Sequence, residues 1–522
     1  MKVINASHWS ANEDFPFLFY YIGEKPLKNG FCKETYAPFS WIRFNIKTQE
    51  LIAARDHIGQ ESFYYTYQED QFIFGSTLPD ILSKLENRPV YNEHLFRDCF
   101  ERRELHDLPL SEETYFKGIY RLKPGHYLTL KNNLFTQEPY WRLPLDTDAL
   151  NYKNEEDYLL QFTALLDESV KNCTKNAKSI AAEFSGGVDS SMVFTSCRRL
   201  GLSPHLYTQT VPSNYSLTEE ARNVQRILEQ YAYHAYHHYV DAEQFDPIDV
   251  LKNSARLYAS PPPYLLGTLA HNLHQKIVAQ GHDLLLSGHG GDDFISLIFP
   301  PPIAFPQRFK EDGIKGIWSD LRHIKNWKGK IKYAGKRLAY SDLKTYRILN
   351  FITRLSGLSP PNDYNYSRPP YYESLKHYEY HNVQGAYAHE FLMRIEYDSV
   401  IAKSMGFRYA YPLLYPPLME FCFRLPLSQK INLLTTRWLA RRYLTKEIPS
   451  FNFKTKGGSL VPNTIQKCRE YDKNGLFNEA FQDLPYSEYI NTINIAEKKL
   501  LLKMQAYILK HCQLSEQPIN PH

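Results

Sequence analysis

Two glycine-rich turns carry the side chains in this sequence that are best suited to chemistry. The first reads SGGVDSS at residues 185–191, between an apolar run at 179–184 and a helical pattern that Gly201 closes. A strand that feeds such a turn at a helix N-terminus directs backbone N–H groups and the positive end of the helix dipole at an anion. We therefore predict a polyphosphate site formed by Ser185, Gly186, Gly187, Asp189, Ser190 and Ser191, in which Asp189 also holds Mg²⁺.

The second turn reads SGHGGDD at residues 287–293 and follows the apolar run at 284–286. If the two strands are parallel neighbours, both turns face one crevice at the edge of the sheet. Ser287 and Gly288 would then contribute to the nucleotide site, and Asp292 would hold Mg²⁺ together with Asp189. His289 would accept a proton from an attacking amine, because a neutral imidazole is a base near pH 7.

A basic segment, KTKGG at residues 454–458, gives a third candidate. Lys454, or Lys456 if the register shifts, would stabilise negative charge that develops on an adenylate and on pyrophosphate. We also assign Val240, at the end of a predicted strand, to the nucleotide site. The GxxxxGK[ST] pattern of a Walker A loop is absent from the sequence.

The elements that position these turns form an α/β pattern. Residues 1–145 read as strand-rich, with short aromatic and β-branched runs broken by Gly, Asn and Pro. From about residue 155, strands and helices alternate at the spacing of a parallel sheet. The charged stretch at 146–157 separates the two parts, so we predict domains at 1–145 and 146–522. Residues 300–390 read as a loop-rich insertion, and helices return after residue 387.

Length, net charge and cysteine spacing limit the classes of protein that this sequence can belong to. A chain of 522 residues allows roughly two to four domains. A net charge of +4 argues against binding to duplex nucleic acid, which needs a concentrated basic stripe. The seven Cys lack CxxC spacing, which favours a reducing compartment over a disulfide framework or a zinc site. Because we see neither a signal-peptide h-region nor a membrane-spanning run, we expect a cytoplasmic protein without a membrane partner.

These three features, in this order, resemble the asparagine synthetase family of ATP pyrophosphatases. Further segments look like family motifs: residues 53–65 like aRDrxGxxPLYY, 74–76 like faSe, 118–126 with 140–141 like GIxxLpPGhyl…YW, and 406–412 with 418–421 like GvEaRxPfLD…lvEf. The resemblance implies an Ntn-amidotransferase-like N-terminal domain and an adenine nucleotide α-hydrolase-like, ATP pyrophosphatase domain. It also implies a carbon–nitrogen ligase that uses ATP and Mg²⁺ and forms AMP and pyrophosphate.

The N-terminal part departs from the glutamine-hydrolysing members. Those members need Cys at position 2, with its own α-amino group as the base. Lys2 stands at that position, Cys32 has no comparable setting, and the hRGPD and NGE glutamine-binding motifs are missing. We therefore expect a vestigial domain that does not hydrolyse glutamine, so that the amine comes from elsewhere.

The second turn departs as well. Asparagine synthetases read SGEG and β-lactam-forming synthetases have Tyr at this place, whereas His289 in GHGGD is similar to the macrolactam synthetases of lasso-peptide biosynthesis. Arg408 and Ala410 replace the Glu and Arg of GvEaR, which favours an acyl substrate other than aspartate. The resemblance implies that an Asp or Glu side chain of a precursor peptide is adenylated and then attacked by the N-terminal amine of the peptide. His289, oriented by Glu396 or Asp398, would take the proton.

A lasso cyclase also implies two protein partners, a leader-binding protein and a leader peptidase. Two other hypotheses remain open. One is an asparagine-synthetase-like ligase that uses ammonia or a small amine. The other is a non-catalytic, peptide-binding homologue, which the intact Asp189, Asp292 and Lys454 argue against.

Overall fold

A computed structural model shows two parts, one rich in antiparallel strands and one built on a parallel sheet. It describes residues 1–7, 10–14, 17–23, 36–87, 89–92, 94–95, 111–210, 219–241, 246–260, 270–295, 376, 380, 389–432, 435–453, 470 and 473. The predicted insertion at 300–390 therefore lies outside the described residues, apart from 376, 380, 389 and 390. Among the described residues, no helix has the length and apolar character that crossing a membrane requires.

The N-terminal part consists of short strands whose aromatic and β-branched residues favour extended backbone. Its described elements are β1 (Lys2–Asn5), β2 (Ser10–Asp14), β3 (Phe17–Gly23), β4 (Phe39–Asn45), β5 (Glu50–Arg55), β6 (Tyr64–Gln68), β7 (Gln71–Gly75), α1 (Leu78–Leu82), β8 (Tyr120–Arg121), β9 (His126–Lys131) and β10 (Leu134–Pro139).

These strands form two sheets that pack against each other. One sheet has the order β1-β7-β6-β8 and the other has the order β10-β9-β5-β4-β3-β2. All neighbours are antiparallel except β1 and β7. Rings from opposite sheets meet between them, with centroids 5.2 Å apart for Tyr20 and Phe74 and 6.4 Å apart for Phe72 and Phe135. The alternating apolar pattern thus builds a β-sandwich core, and we call this part the N-terminal sandwich.

The second part alternates strands with helices, as predicted. Its described elements are α2 (Glu155–Thr174), β11 (Ile180–Glu183), α3 (Val188–Arg199), β12 (His205–Thr210), α4 (Glu219–Gln230), β13 (His237–Asp241), α5 (Pro247–Tyr258), α6 (Ala270–Ala279), β14 (Leu284–Leu286), α7 (His389–Ser404), β15 (Arg408–Ala410), α8 (Pro416–Phe423), α9 (Leu427–Lys430), β16 (Ile431–Asn432), β17 (Thr435–Thr436) and α10 (Trp438–Glu447).

Five of these strands form a wholly parallel sheet in the order β13-β12-β11-β14-β15. Its central strands are buried, and Leu284, Leu285 and Leu286 have no exposed surface. This explains why the run at 284–286 is apolar without alternation. The chain proceeds outward from β11 to β13 and then returns to the other side of β11 at β14. The sheet therefore has a topological switch point between β11 and β14, where ligands of open α/β sheets bind.

The predicted fold class is confirmed as a mixed α/β chain with an N-terminal strand-rich part and a C-terminal parallel sheet. Trp141 and Leu143 already pack into the core around the parallel sheet, together with Tyr158 and Leu159 of α2. The domain boundary at 145/146 remains a prediction.

Candidate active site

The two glycine-rich turns lie side by side at the switch point. β11 and β14 pair directly, with Ala182 opposite Leu286, so the turns leave neighbouring strands at the same edge of the sheet. A Cβ atom placed on Gly291 would lie 2.3 Å from Cγ of Asp189. The backbone of the second turn therefore packs directly against the carboxylate of the first, as the shared-crevice prediction requires.

The serines of the first turn hold its shape. Gly187 N donates to Ser185 Oγ at 3.1 Å, and Ser185 N donates to Ser190 Oγ at 3.2 Å. Gly187 is the N-cap of α3, and no side-chain hydrogen bond caps this helix within the described residues. A helix N-terminus without a side-chain cap can bind an anion through the N–H groups of its first turn. Ser191 Oγ is buried and has no hydrogen-bond partner in the described part of the chain.

Gly186 is required by packing. It has φ +76°, and a Cβ there would lie 2.4 Å from Glu220 O at the start of α4. The sequence suggests that glycine is needed here so that the backbone can approach phosphate. The structure adds a second reason, because only glycine fits between this turn and α4.

A carboxylate that the sequence analysis missed braces the second turn. Ser287 Oγ donates to Glu183 Oε2 at 2.5 Å, and Tyr409 OH donates to Glu183 Oε1 at 3.1 Å. Glu183 ends β11, so this one side chain ties three neighbouring strands together at the carboxyl edge. Its only sequence signal is an acidic residue at the end of an otherwise apolar strand. His289 N completes the brace by donating to Ser287 Oγ at 3.2 Å.

His289 is enclosed by aromatic rings. Its ring centroid lies 5.0 Å from that of Phe391 and 6.0 Å from that of Tyr411. Nε2 is buried and meets no hydrogen-bond partner among the residues described. Burial, and then the positive charge of Arg394, hold the pKa of His289 well below its usual value. The imidazole is therefore neutral at pH 7 with its lone pair unprotonated, and the same lowered pKa makes it a weaker base than an exposed imidazole.

The two acidic residues expected to orient His289 have other partners. Glu396 accepts hydrogen bonds from Tyr64 and Tyr258 and forms an ion pair with Arg55. Asp398 lies 3.6 Å from Arg394 Nε. Of the two, only Asp398 pairs with a residue whose charge acts on His289.

The two predicted metal ligands converge on one arginine. Arg437 Nη1 lies 3.5 Å from Asp189 Oδ2, and Arg437 Nη2 contacts Asp292 Oδ1. Two carboxylates beside the predicted polyphosphate site suit Mg²⁺, which binds through one or two carboxylates plus phosphate oxygens. No group of three or more metal-binding side chains occurs in the described ranges. The residues therefore fit an ion that completes its coordination with nucleotide phosphates.

Arg437 was not found from the sequence. It precedes α10 in the left-handed conformation, with φ +62°. A residue other than glycine pays roughly 1–2 kcal/mol in this conformation, and such strain concentrates at functional sites. Its guanidinium lies where a cation is needed between two carboxylates.

The remaining predicted site residues lie away from the two turns or outside the described residues. Val240 belongs to β13, two strands from β11, and its side chain is buried in the core. Only its backbone is therefore placed to meet a ligand at the carboxyl edge. Lys454 and Lys456 lie outside the described residues.

A cavity of about 370 Å³ lies between the N-terminal sandwich and the parallel sheet. Tyr411 forms part of its wall and also contacts the ring of His289. Arg408 and Ala410 also line the cavity, and Ala410 O accepts a hydrogen bond from Ser287 N at 2.9 Å. Both substitutions noted in the sequence thus change a cavity wall. Ala410 pairs with Leu286 beside the His289 turn, whereas Arg408 pairs with Leu284 at the start of β14.

Known proteins share both parts of the chain. The asparagine synthase family model matches residues 161–485, and a glutamine amidotransferase domain model matches residues 30–141. Among curated relatives, the amidase chyE of Penicillium rubens is 31% identical over 35% of this chain and 27% of its own length. The amidase chry2 of Gibberella zeae is 29% identical over 34% and 25%.

A glutamine-hydrolysing asparagine synthetase of Bacillus subtilis is 26% identical, over 37% of this chain and 26% of its own length. The alignments with these three relatives thus span about a quarter of each relative. The match to the family model covers more than half of the chain and includes both turns of the site. The chain therefore belongs to the asparagine synthase family.

Proposed function

We propose that this protein is an ATP-dependent carbon–nitrogen ligase that closes a macrolactam in a precursor peptide. The substrate carboxylate is an Asp or Glu side chain, and the amine is the N-terminus of the same peptide. One observation carries the proposal: a buried, neutral His289 with an unpartnered Nε2 lies in the turn that packs against the polyphosphate site.

In the first step, the substrate carboxylate attacks the α-phosphorus of ATP and pyrophosphate leaves. The uncapped N-terminus of α3 and the serines of residues 185–191 bind the phosphates. Asp189 and Asp292 would hold Mg²⁺, which neutralises charge on the leaving pyrophosphate. Lys454 or Lys456 would stabilise the remaining negative charge.

In the second step, the amine nitrogen attacks the acyl carbon of the adenylate, the amide bond forms and AMP leaves. The proton that the amine loses passes to His289 Nε2. Tethering both groups in one folded peptide raises their effective concentration. The aromatic enclosure of His289 keeps water from the base and supports capture by the amine over hydrolysis.

In this proposal, residues 1–145 form an Ntn-amidotransferase-like domain. Residues 146–522 form an ATP pyrophosphatase domain of the adenine nucleotide α-hydrolase type. The precursor peptide would reach the enzyme with a leader-binding protein and a leader peptidase. A short precursor gene and a peptidase gene beside the coding sequence would support this arrangement.

A small-molecule ligase is the second candidate, because a relative is named as an asparagine synthetase. A direct experiment separates the two. The protein is incubated with MgATP and a peptide that begins with Gly and carries Asp or Glu a few positions later. AMP formation and the loss of one water from the peptide, measured by mass spectrometry, would support the macrolactam synthetase.

A parallel reaction contains MgATP, aspartate and ammonium. Equal amounts of asparagine and AMP there, with no cyclised peptide, would overturn the proposal in favour of the small-molecule ligase. AMP in neither reaction, from protein that binds the peptide, would indicate a non-catalytic homologue.

A further inference from the structure

Helix α7 lies between the N-terminal sandwich and the turn that carries His289. Met393, Glu396 and Lys403 contact the sandwich, at spacings of three and seven residues that place them on one face of the helix. Phe391 contacts His289, and Arg394 acts on it by its charge. One helix thus touches both the sandwich and the candidate base.

The contact with the sandwich is centred on Glu396, of which only 2% is exposed. Arg55 Nη2 lies 2.9 Å from Oε2, and Arg121 Nη2 lies 3.7 Å from Oε1. Tyr64 and Tyr258 both donate to Oε1, at 2.5 and 2.9 Å. Burial alone would raise the pKa of Glu396, but Arg121 and Arg55 lower it to about 2. The carboxylate is therefore ionised and bonded on both oxygens.

The sandwich holds its side of this cluster rigidly. Arg55 also donates to the carbonyl oxygens of Gly59, Glu61 and Leu122, at 2.7, 2.7 and 2.9 Å. Its guanidinium is thus fixed by backbone before it meets Glu396. Arg121 Nη1 lies 2.9 Å from Met393 Sδ, one turn earlier on α7. These contacts with the sandwich consequently fix the position of α7 along its axis and its rotation about that axis.

The other side of α7 sets the surroundings of His289. Phe391 covers the imidazole, and the charge of Arg394 disfavours its protonation. Among the described residues, the other titratable group in ring contact with His289 is Tyr411, and burial raises its pKa well above the usual value, so it stays neutral. A shift or rotation of α7 would move Phe391 and Arg394 and admit water to Nε2.

We propose that Glu396 is a positioning residue through which the N-terminal sandwich holds α7 in place and keeps His289 enclosed. The sandwich would then serve catalysis as a scaffold, independently of any chemistry of its own. The catalytic consequence rests on the proposed function, whereas the structural consequence for residues 287–292 does not.

The experiment compares two variants that each remove one hydroxyl. Tyr64→Phe deletes the donor from the sandwich to Glu396. Tyr397→Phe deletes a hydroxyl of α7 that bonds Ser254 of α5 rather than Glu396. Glu396→Gln is the stronger variant, but it leaves two buried guanidinium groups without a carboxylate, so Tyr64→Phe keeps the test usable if Glu396→Gln fails to fold.

Hydrogen exchange of a peptide that covers residues 287–292 is the first readout. We expect Tyr64→Phe to speed exchange there by about tenfold, because it weakens a hydrogen bond to a buried carboxylate. The second readout is the pH dependence of kcat/KM for amide formation, whose acid limb should move toward pH 6.5 as His289 becomes hydrated. Tyr397→Phe should leave both readouts unchanged.

The inference would be overturned if folded Tyr64→Phe and Glu396→Gln both match the wild type in exchange at 287–292 and in the acid limb of the pH profile. The Glu396 cluster would then be only structural. Faster exchange in Tyr64→Phe, in a protein whose wild type forms no AMP with any carboxylate and amine, would support the positioning role while refuting the proposed function. The two ideas can thus fail separately.

Discussion

Replacement of Gly291 by Ala tests whether the second turn positions the carboxylate of Asp189. The new Cβ would lie 2.3 Å from Asp189 Cγ and also 2.3 Å from Oδ1. Ordinary van der Waals contact between such atoms needs about 3.5 Å, so the carboxylate must retreat by about 1 Å. Metal–ligand distances tolerate only about 0.2 Å. Disturbed support of a metal ligand typically weakens binding by about 10–100-fold, or roughly 1.4–2.7 kcal/mol.

Calorimetric titration with ATP measures this effect without knowledge of the acyl substrate. We expect the Kd for MgATP to rise by about 10–100-fold in Gly291→Ala, and the Kd for ATP in EDTA to change much less. Gly201→Ala is the matched control: Gly201 has φ +74° and no neighbour within 4 Å of its Cβ position. It should cost about 1 kcal/mol of stability and leave MgATP binding unchanged.

The reasoning is refuted if folded Gly291→Ala binds MgATP as tightly as the wild type. Equal losses of affinity with and without Mg²⁺ would also refute it, because the turn would then support the phosphates rather than the metal ligand.

Three further variants test other parts of the site. His289→Asn should slow amide formation by about 10²–10⁴-fold while ATP–pyrophosphate exchange with the acyl substrate continues; loss of exchange as well would show that His289 is not specific to the second step. Arg437→Asn removes the guanidinium that two carboxylates share. Mg²⁺ should then bind the nucleotide-free protein on the order of tenfold more tightly, or about 1.4 kcal/mol; an unchanged Kd would mean that Arg437 does not compete with the ion. His274, whose pKa burial lowers to about 3, stays neutral in the folded protein at pH values where the unfolded chain is protonated. The free energy of unfolding should therefore fall as pH drops from about 6.5 toward 3, by about 1.4 kcal/mol per pH unit for this group. His274→Gln should remove one proton from that slope in urea titrations at successive pH values, and an unchanged slope would contradict the lowered pKa.

The sequence alone predicted the strands and helices that carry the site, because their signals are local. The run at 284–286 is the short buried strand β14. Gly201, with φ +74°, follows the C-terminal end of α3. The apolar pattern also separated a strand-rich part from an α/β part. The pairing order of the five parallel strands was not available from it, since strand order depends on contacts between residues far apart in the chain.

The residues that lack local patterns could be found only in the folded chain. Glu183 is recognised as a site residue because Ser287, directly after β14, and Tyr409 of β15 both donate to it. Arg437 lies 248 residues from Asp189 along the chain, and no spacing rule joins them. Glu396 was placed beside His289 by position in the sequence, whereas packing of α7 turns it toward the sandwich.

The sequence by itself predicted two turns suited to binding phosphate and accepting a proton, since Gly, Ser, Asp and His at a strand–helix junction act through local backbone geometry. Tertiary structure decided that the turns share one crevice, that two carboxylates meet at Arg437, and that His289 is dry and neutral. The physical reason is that burial and charge act through space. The same His in a solvated turn would be an ordinary imidazole, whereas burial and the charge of Arg394 lower its proton affinity in the folded chain.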